Sequence, residues 1–143
     1  MTDRCIFCRI AEGSLPAHKL YEDDRVLAFL DLHPVRAGHA LVIPRAHHEG
    51  FEDMDPDTAA AVMAVAQRLA RRMKAVCGVD RVGMAFVGIH VPHAHAHLIP
   101  LHHRHDLTSA AYLRDGIDGF TAPPPPPAGE LARMAGLLRE GLE

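Results

Sequence analysis

Three histidines alternate with alanines just before the end of an apolar segment, as His93, His95 and His97. Successive side chains of a β-strand point to opposite faces, so a strand here would place all three imidazoles on one face, about 6.6 Å from one ring to the next. A neutral imidazole is a nucleophile near neutral pH, and a hydrogen bond from a neighbour fixes its tautomer. The pattern therefore favours a row of rings in which one attacks and the others orient it and bind an anionic oxygen, with a phosphate as the best-suited group.

Two other interpretations of the row stay open. The histidines could form the polar face of an edge strand or an adventitious metal-binding site. They could also form a three-histidine zinc site, although the first and third rings on a strand lie about 13 Å apart, too far to share one ion.

A second pattern of chemical interest is the pair Cys5 and Cys8, with two residues between them. The chain has three cysteines, and an odd number argues against a disulfide framework. The C-x-x-C spacing then indicates half of a metal site or a redox pair. Cys77 ends an apolar helical pattern and is predicted to be a small buried side chain.

Several blocks of the sequence, taken together with the histidine row, resemble the histidine-triad (HIT) family of nucleotide hydrolases and transferases. The likeness covers roughly residues 5 to 100 and leaves out the tail after Leu101. Its blocks follow the family's order: Cys5-Ile6-Phe7-Cys8-Arg9-Ile10, Tyr21-Glu22-Asp23, Leu27-Ala28-Phe29-Leu30-Asp31, Gly38-His39-Ala40-Leu41-Val42-Ile43-Pro44-Arg45-Ala46-His47 and Val91-Pro92-His93-Ala94-His95-Ala96-His97.

The resemblance implies covalent catalysis at the middle histidine. His95 would attack the α-phosphorus of a purine nucleoside phosphoramidate, a dinucleoside polyphosphate or a related nucleotide, and water would then release the nucleoside monophosphate from a nucleotidyl-histidine. His97 and the backbone around Gly88 to Val91 would stabilise charge on the phosphoryl oxygens, and His93 completes the triad.

The resemblance also implies a nucleotide-binding set. Asp31 matches an acid that accepts hydrogen bonds from the two ribose hydroxyls, although it could instead cap a turn. His39 matches a histidine near the phosphates, and a structural hydrogen bond is the alternative. The base would lie between apolar side chains that could also be ordinary core residues, namely Phe7, Phe29, Leu32 and Leu41.

A structural Zn²⁺ site is the third implication. Two thiolates and two imidazoles make a closed tetrahedral site, and Cys5, Cys8, His47 and His93 resemble such a set. Zinc on His93 would also fix its orientation beside the nucleophile. His48 is an alternative ligand, and a zinc-free chain would keep the cysteines for packing.

The sequence departs from the family pattern just before the triad. The stretch Ala85–Gly88 is short and apolar, and His90 stands where many members carry a hydroxyl side chain. Either His90 supplies a donor to the phosphate or the phosphate site differs.

The elements around these residues predict an α+β, HIT-like fold with a five-stranded antiparallel sheet, one long helix and short flanking helices, with the helices on one face. Asp55 caps the long helix and Gly78 ends it. Strands are predicted over Lys19–Glu22, Val26–Asp31, His39–Ile43, Arg81–Val87 and Ala94–Ile99, and shorter helices over Ile6–Glu12 and Glu130–Leu142.

The length of 143 residues fits a single domain. We expect a HIT core over residues 1–106 and an extension over 107–143, in which the prolines Pro123–Pro127 form a stiff spacer before a terminal helix. The apolar stripe of the long helix, between Asp55 and Val76, suggests a homodimer with that helix at the interface.

Composition limits the partners and the location. The net charge is −3 and no basic footprint is present, so no nucleic-acid partner is expected. The longest apolar run, Ala59–Ala66, is too short to span a membrane, and the first residues show no signal peptide, which favours a cytoplasmic protein. The sequence thus predicts a HIT-type hydrolase, with two alternatives: a nucleotide-binding regulatory protein with vestigial catalysis, or a zinc-binding structural protein.

Overall fold

The fold is built on one five-stranded antiparallel sheet, as the sequence predicted. The computed structural model describes residues 4–104, 106–107 and 124–142. The strands follow one another across the sheet in the order β1-β2-β3-β5-β4. Their bounds are Lys19–Glu22 (β1), Val26–Leu30 (β2), Ala40–Pro44 (β3), Val82–Phe86 (β4) and Ala96–Pro100 (β5).

In the ranges that the structure describes, three α-helices accompany the sheet: Ile6–Glu12 (α1), Pro56–Cys77 (α2) and Glu130–Arg139 (α3). A 3-10 turn covers Phe51–Asp53. The long helix α2 begins where the sequence indicated, because the Asp55 side chain accepts the Thr58 N–H at 3.0 Å. It ends at Gly78, whose φ of +64° is a left-handed conformation that suits glycine. No helix in the described part of the chain is long and apolar enough to cross a membrane.

Both faces of the sheet are covered, which differs from the expectation that all helices lie on one side. The α2 face carries the larger core, formed by α2, α3 and alternate strand residues such as Val42 and Leu98. On the opposite face, α1 places Phe7 and Ile10 against Leu41 and other alternate strand residues. Every residue of β2 and β3 is buried, because these central strands are apolar at both alternating positions.

The strand that carries the histidine row starts two residues later than predicted. Of the three histidines only His97 lies in β5, opposite Leu41 of β3. The backbone just before the strand bonds outside the sheet, since the His93 N–H donates to the Val91 carbonyl at 2.8 Å and the Ala94 N–H to the His48 carbonyl at 2.7 Å. The predicted separation of faces holds for Ala96, which is fully buried in the core beneath α2. It does not hold for Ala94, which lines the same cavity wall as His95.

The C-terminal helix is part of the main core. α3 contacts α2, β1 and β2, and its Leu138 is fully buried. The Arg72 guanidinium of α2 donates to the Leu137 carbonyl at 2.9 Å and joins the two helices. The segment 108–123, which includes Pro123 of the predicted spacer, lies outside the described residues.

An ion pair fixes the loop that precedes β3. The buried carboxylate of Asp106 accepts two hydrogen bonds from Arg36, at 2.8 and 3.0 Å, and one each from the backbone N–H groups of His102 and His103. The guanidinium beside it lowers the pKa of Asp106 to about 2. This pair ties the loop carrying His39 to the chain just beyond β5.

Two substitutions on α3 test whether this helix belongs to the folded core. Leu138→Ala should lower the free energy of unfolding by about 2–4 kcal/mol, because it opens a cavity in a fully buried position. Gly136→Ala, at an exposed helical position with open space around it, should raise it by about 0.5–1 kcal/mol. Urea unfolding measures both effects. If neither substitution changed the free energy of unfolding, α3 would not pack as described.

Candidate active site and metal centre

A cavity of about 650 Å³ opens on the α1 face of the sheet. Its wall is mostly apolar, and its polar groups are Asp31 and four histidines. The residues that line it are Ile6, Phe7, Ile10, Leu15, Pro16, Ala17, Phe29, Leu30, Asp31, Leu32, His33, Leu41, Val87, Gly88, Ile89, His90, Val91, His95 and His97. An apolar hollow with a few convergent polar groups is the usual form of a small-molecule site.

His95 lines this cavity with one ring nitrogen fixed by the backbone. Its Nδ1 lies 2.7 Å from the His93 carbonyl oxygen. A carbonyl only accepts, so Nδ1 must carry the proton and donate it, which leaves a lone pair on Nε2. The residue is 7% exposed, and its Nε2 makes no hydrogen bond within the described part of the chain. In the neutral form of this ring, the arrangement leaves Nε2 as a free nucleophilic nitrogen on the cavity wall.

The tautomer of His97 is fixed through a second histidine. The Val35 N–H donates to His39 Nδ1 at 3.1 Å, so the proton of neutral His39 is on Nε2. That nitrogen lies 2.9 Å from His97 Nδ1 and donates to it. The remaining nitrogen of His97, Nε2, therefore carries a proton and can donate it to a bound group.

Burial favours the neutral forms of His39 and His97. It lowers the pKa of His39 to about 4, against the opposing effect of the nearby Asp31 carboxylate. Burial also lowers the pKa of His97, with the neighbouring His95 acting in the same direction. The hydrogen-bond chain through His39 and His97 is thus the one expected at neutral pH.

Asp31 directly follows β2, where it caps a turn and also lines the cavity. One oxygen, Oδ1, accepts the His33 N–H at 2.8 Å and caps the turn. The other, Oδ2, lies 3.6 Å from His39 Nε2, and the residue lines the cavity. A carboxylate oxygen has two lone pairs, so hydroxyl groups of a ligand can still be accepted here.

The aromatic residues predicted to hold a base surround the inner part of the cavity. The rings of Phe7 and Phe29 meet edge to face at 5.5 Å, and Phe7 meets His95 in the same way at 5.0 Å. Leu41 is buried in the small core under α1 and also reaches the cavity wall. Leu32 is 58% exposed and contributes only to the rim.

Gly88 and His90 lie in the loop that borders the same cavity, as expected. Gly88 has a φ of +71°, which turns the chain after β4, and the His90 side chain is exposed. Two of the residues predicted for catalysis or nucleotide binding do not line the cavity. His39 lies behind His97, and His93 points into a separate cluster with the cysteines.

That cluster brings together the four residues predicted to bind metal. The two Sγ atoms of Cys5 and Cys8 and the Nδ1 atoms of His47 and His93 all lie within 4.8 Å of one another. The sulfur–nitrogen distances are 3.4 Å (Cys5 to His93), 3.3 Å (Cys8 to His47) and 3.5 Å (Cys8 to His93). A tetrahedral zinc site with ordinary bond lengths requires roughly 3.6 Å between these atoms, so the donor set fits the ion.

Two further features suit a cation. His93 Nε2 lies 2.8 Å from the Pro44 carbonyl and donates to it, which turns the lone pair of Nδ1 toward the sulfurs. Burial, with Cys5 adjacent, raises the pKa of the Cys8 thiol to about 11, so a thiolate here requires a nearby positive charge. The alternative ligand His48 is not in the cluster, and its carbonyl accepts the Ala94 N–H instead.

A family model described as the HIT domain matches residues 12–104 of the chain. The chain belongs to the HIT family. An uncharacterized HIT-like protein of Borreliella burgdorferi is 40% identical over 103 residues, which are 67% of this chain and 74% of that protein. The Arabidopsis thaliana adenylylsulfatase HINT3 is 34% identical over 115 residues, 77% of this chain and 58% of that protein.

A solved structure from this family shares the fold over nearly the whole chain. A zinc-bound histidine triad family protein from Mycobacterium smegmatis superposes with a TM-score of 0.76 and 30% identity, covering 99% of this chain and 95% of that one. The HIT fold predicted from the sequence is thereby confirmed.

Sequence reasoning missed the backbone groups that set the tautomers. The carbonyls of Pro44 and His93 and the N–H of Val35 leave no signature in side-chain identity. It also passed over Ile6 and Ile89, exposed apolar residues at the cavity rim. The signal available in the sequence was an apolar residue close to a chemically active motif, since Ile6 follows Cys5 and Ile89 lies just before the triad.

The lowered pKa of His39 predicts how stability depends on pH. Between about pH 6.5 and 4 the unfolded chain binds a proton on this residue that the folded chain does not. The stabilising contribution is complete above pH 6.5 and is lost as the pH falls to 4, by about 3 kcal/mol for a shift of this size. In His39→Gln the free energy of unfolding should therefore fall less steeply over this range.

Urea titrations at a series of pH values provide the measurement. His102→Gln, at an exposed position, is the control and should keep the slope of the unmodified chain. Identical slopes in His39→Gln and the control would contradict the assignment of a buried neutral His39.

Proposed function

We propose that this chain is a HIT-type nucleotide hydrolase that acts through a covalent nucleotidyl-histidine intermediate. The observation that carries the proposal is the free Nε2 of His95 on the cavity wall, with Nδ1 held by the His93 carbonyl at 2.7 Å. The substrate class is a purine nucleoside phosphoramidate or a dinucleoside polyphosphate. The activity in the name of the Arabidopsis relative, adenylylsulfatase, also concerns an adenylyl group.

In the first step His95 Nε2 donates its lone pair to the α-phosphorus. The bond from phosphorus to the leaving group breaks, and the leaving group departs with that electron pair and takes up a proton. Positive charge develops on the imidazole, and the His93 carbonyl stabilises it through the Nδ1–H. Water then attacks the same phosphorus and gives up a proton to solvent. The bond from phosphorus to His95 Nε2 breaks, its electron pair returns to the ring, and the nucleoside monophosphate leaves.

Negative charge on the phosphoryl oxygens is the main electrostatic demand of both steps. His97 Nε2–H is the fixed donor for it, because His39 holds the opposite nitrogen of that ring. His39 is thus a positioning residue for His97. His90 in the loop before the triad is an exposed second donor.

The nucleoside half of the substrate would fill the inner cavity. Asp31 accepts hydrogen bonds from the ribose hydroxyls, and the apolar walls formed by Phe7, Phe29 and Leu41 take the base. Leu32 closes one side of the rim.

Replacement of His95 tests the covalent step. His95→Ala should reduce turnover of adenosine 5′-phosphoramidate by at least about 10³-fold, because no other group in this position supplies the nucleophile. Rapid quenching and mass spectrometry of the unmodified chain should show a nucleotidyl adduct on the peptide that contains His95.

His102→Ala, at an exposed position away from the cavity, is the matched control and should retain turnover. Full activity of His95→Ala, or an adduct located on a different histidine, would disprove the mechanism.

A nucleotide-binding protein with weak catalysis is the second candidate. It is favoured by the loop before the triad, whose side chains between Phe86 and Pro92 offer only His90 as a polar contact. Tight binding of AMP by calorimetry, without turnover or adduct, would support this function in place of the hydrolase.

We also propose that Cys5, Cys8, His47 and His93 hold a structural Zn²⁺. The ion would supply positive charge that stabilises the two thiolates and would restrain the four side chains. Because the carbonyl of His93 holds His95, restraint of His93 also orients the attacking ring.

Metal analysis of cysteine variants tests this assignment. The unmodified chain should carry about one equivalent of zinc, and Cys8→Ser should lose it and unfold at a lower temperature. Cys77→Ser is the control and should keep the zinc, because Cys77 lies outside the cluster near the Ala37 carbonyl. Equal zinc contents in the two variants would exclude the site.

A homodimer and a cytoplasmic location remain proposals that rest on the sequence. The apolar stripe of α2 that suggested a dimer packs against the chain's own sheet. An alternative dimer surface is the edge strand β4, with its exposed Met84, together with the exposed Met63 of α2.

A further inference from the structure

A second cavity, of about 400 Å³, adjoins the first on the other side of the loop after β4. The two cavities share Val87, Gly88 and His95. His95 is the one titratable residue common to both. If the nucleoside fills the larger cavity, the second cavity is the free space next to the atom that His95 attacks.

The wall of the second cavity is acidic. Glu49, Glu52 and Asp53 line it, in and just before the 3-10 turn, and all three are exposed. Asp53 accepts the Gly50 N–H at 3.0 Å. None of the three carboxylates forms a salt bridge with a cation in the described ranges 4–104, 106–107 and 124–142.

Aromatic surface completes this wall. Phe51 and Phe86 both line the cavity, and their ring centroids are 5.5 Å apart at an interplanar angle of 41°. Phe51 is 57% exposed. Aromatic faces beside carboxylates favour a cation carried on an apolar stem, since the ring attracts the charge and also contacts the methylene groups.

The two cavities together have no fixed positive charge, because no lysine or arginine lines either of them among the described residues. A polyphosphate leaving group would bring several negative charges next to three carboxylates. A protonated amine on the leaving group would meet the opposite field. The charge of this wall thus disfavours a polyphosphate leaving group and favours a cationic amine. The walls of the larger cavity, which would hold the nucleoside, do not distinguish these two substrate classes.

We propose that the second cavity is the leaving-group subsite and that it selects phosphoramidates whose departing amine carries a further positive charge on an apolar stem. This inference rests on the proposed hydrolase function. The bond from phosphorus to nitrogen breaks as His95 Nε2 bonds to phosphorus, and the amine leaves with the electron pair and takes a proton from water. Dinucleoside polyphosphates are the disfavoured class.

The test compares ligands that share one nucleotide and differ only in the tail. Adenosine 5′-phosphodiesters with an aminohexyl, hexyl or carboxypentyl tail resist hydrolysis and report binding alone. By calorimetry at low ionic strength, the aminohexyl ligand should bind about tenfold more tightly than the carboxypentyl ligand, the sum expected from a few exposed charge pairs. The difference should shrink as salt is added.

Charge reversal at one position locates the effect. Glu52→Lys should bring the ratio of the two affinities to about one, and Glu52→Gln should give an intermediate ratio. Asp80→Lys makes the same change in net charge at an exposed site away from both cavities, and should keep the ratio near ten. Equal affinities in the unmodified chain, or a ratio unaffected by Glu52→Lys, would overturn the inference.

Turnover of adenosine 5′-phosphoramidate, which has no tail, separates this inference from the function on which it rests. If that substrate is hydrolysed while the tails show no preference, the subsite is wrong and the hydrolase stands. If the tails show the expected preference while no turnover or adduct is found, the cavity binds the tail as proposed and the hydrolase function fails.

Discussion

The candidate site depends on one short hydrogen bond, from His95 Nδ1 to the carbonyl oxygen of the residue two positions earlier. Without it the ring could carry its proton on either nitrogen and could present a donor to the cavity instead of a lone pair. With it, the backbone determines which nitrogen is free. The same rule governs the other buried rings, because each has one nitrogen fixed by a backbone group or by a neighbour already fixed in this way, and burial removes the charged form in which both nitrogens would donate.

The bond links the cavity to the cysteine–histidine cluster. His93 contributes its carbonyl to His95, while its side chain turns to Cys5 and Cys8 and its Nε2 is held by the Pro44 carbonyl. The segment before β5 is therefore held from three directions, although it lies outside the sheet ladder. A metal ion bound in the cluster would act on catalysis through this segment, by limiting how far the His93 carbonyl can move.

The charges around the cavities explain why the histidines must supply the donors. With no lysine or arginine on the described walls, the donors to a phosphoryl group would be N–H groups of the histidines and the backbone, such as Nε2–H of neutral His97. Such donors suit a substrate with a single negative charge better than one with several, since neutral donors offset less repulsion. The acidic wall formed by Glu49, Glu52 and Asp53 acts in the same direction. The apolar loop after β4, which sets this sequence apart from the family pattern, is consistent with a less highly charged substrate.

From periodicity and capping residues, which a printed chain displays, the sequence alone indicated the five strands and the capped helix α2. The family, and with it Cys5, Cys8, His47 and His93 as a set, came from the resemblance of several sequence blocks to the HIT family. Prediction from the sequence misjudged the start of β5 and the side on which α1 packs, because pairing partners decide both. Only the tertiary structure showed that His93 faces the cysteines and that His39 lies behind His97. It also revealed the acidic wall beside His95. The physical reason is that ring orientation is set by backbone groups far apart in sequence, such as the Pro44 carbonyl and the Val35 N–H, which every residue type provides equally and which only folding brings into contact with a given ring.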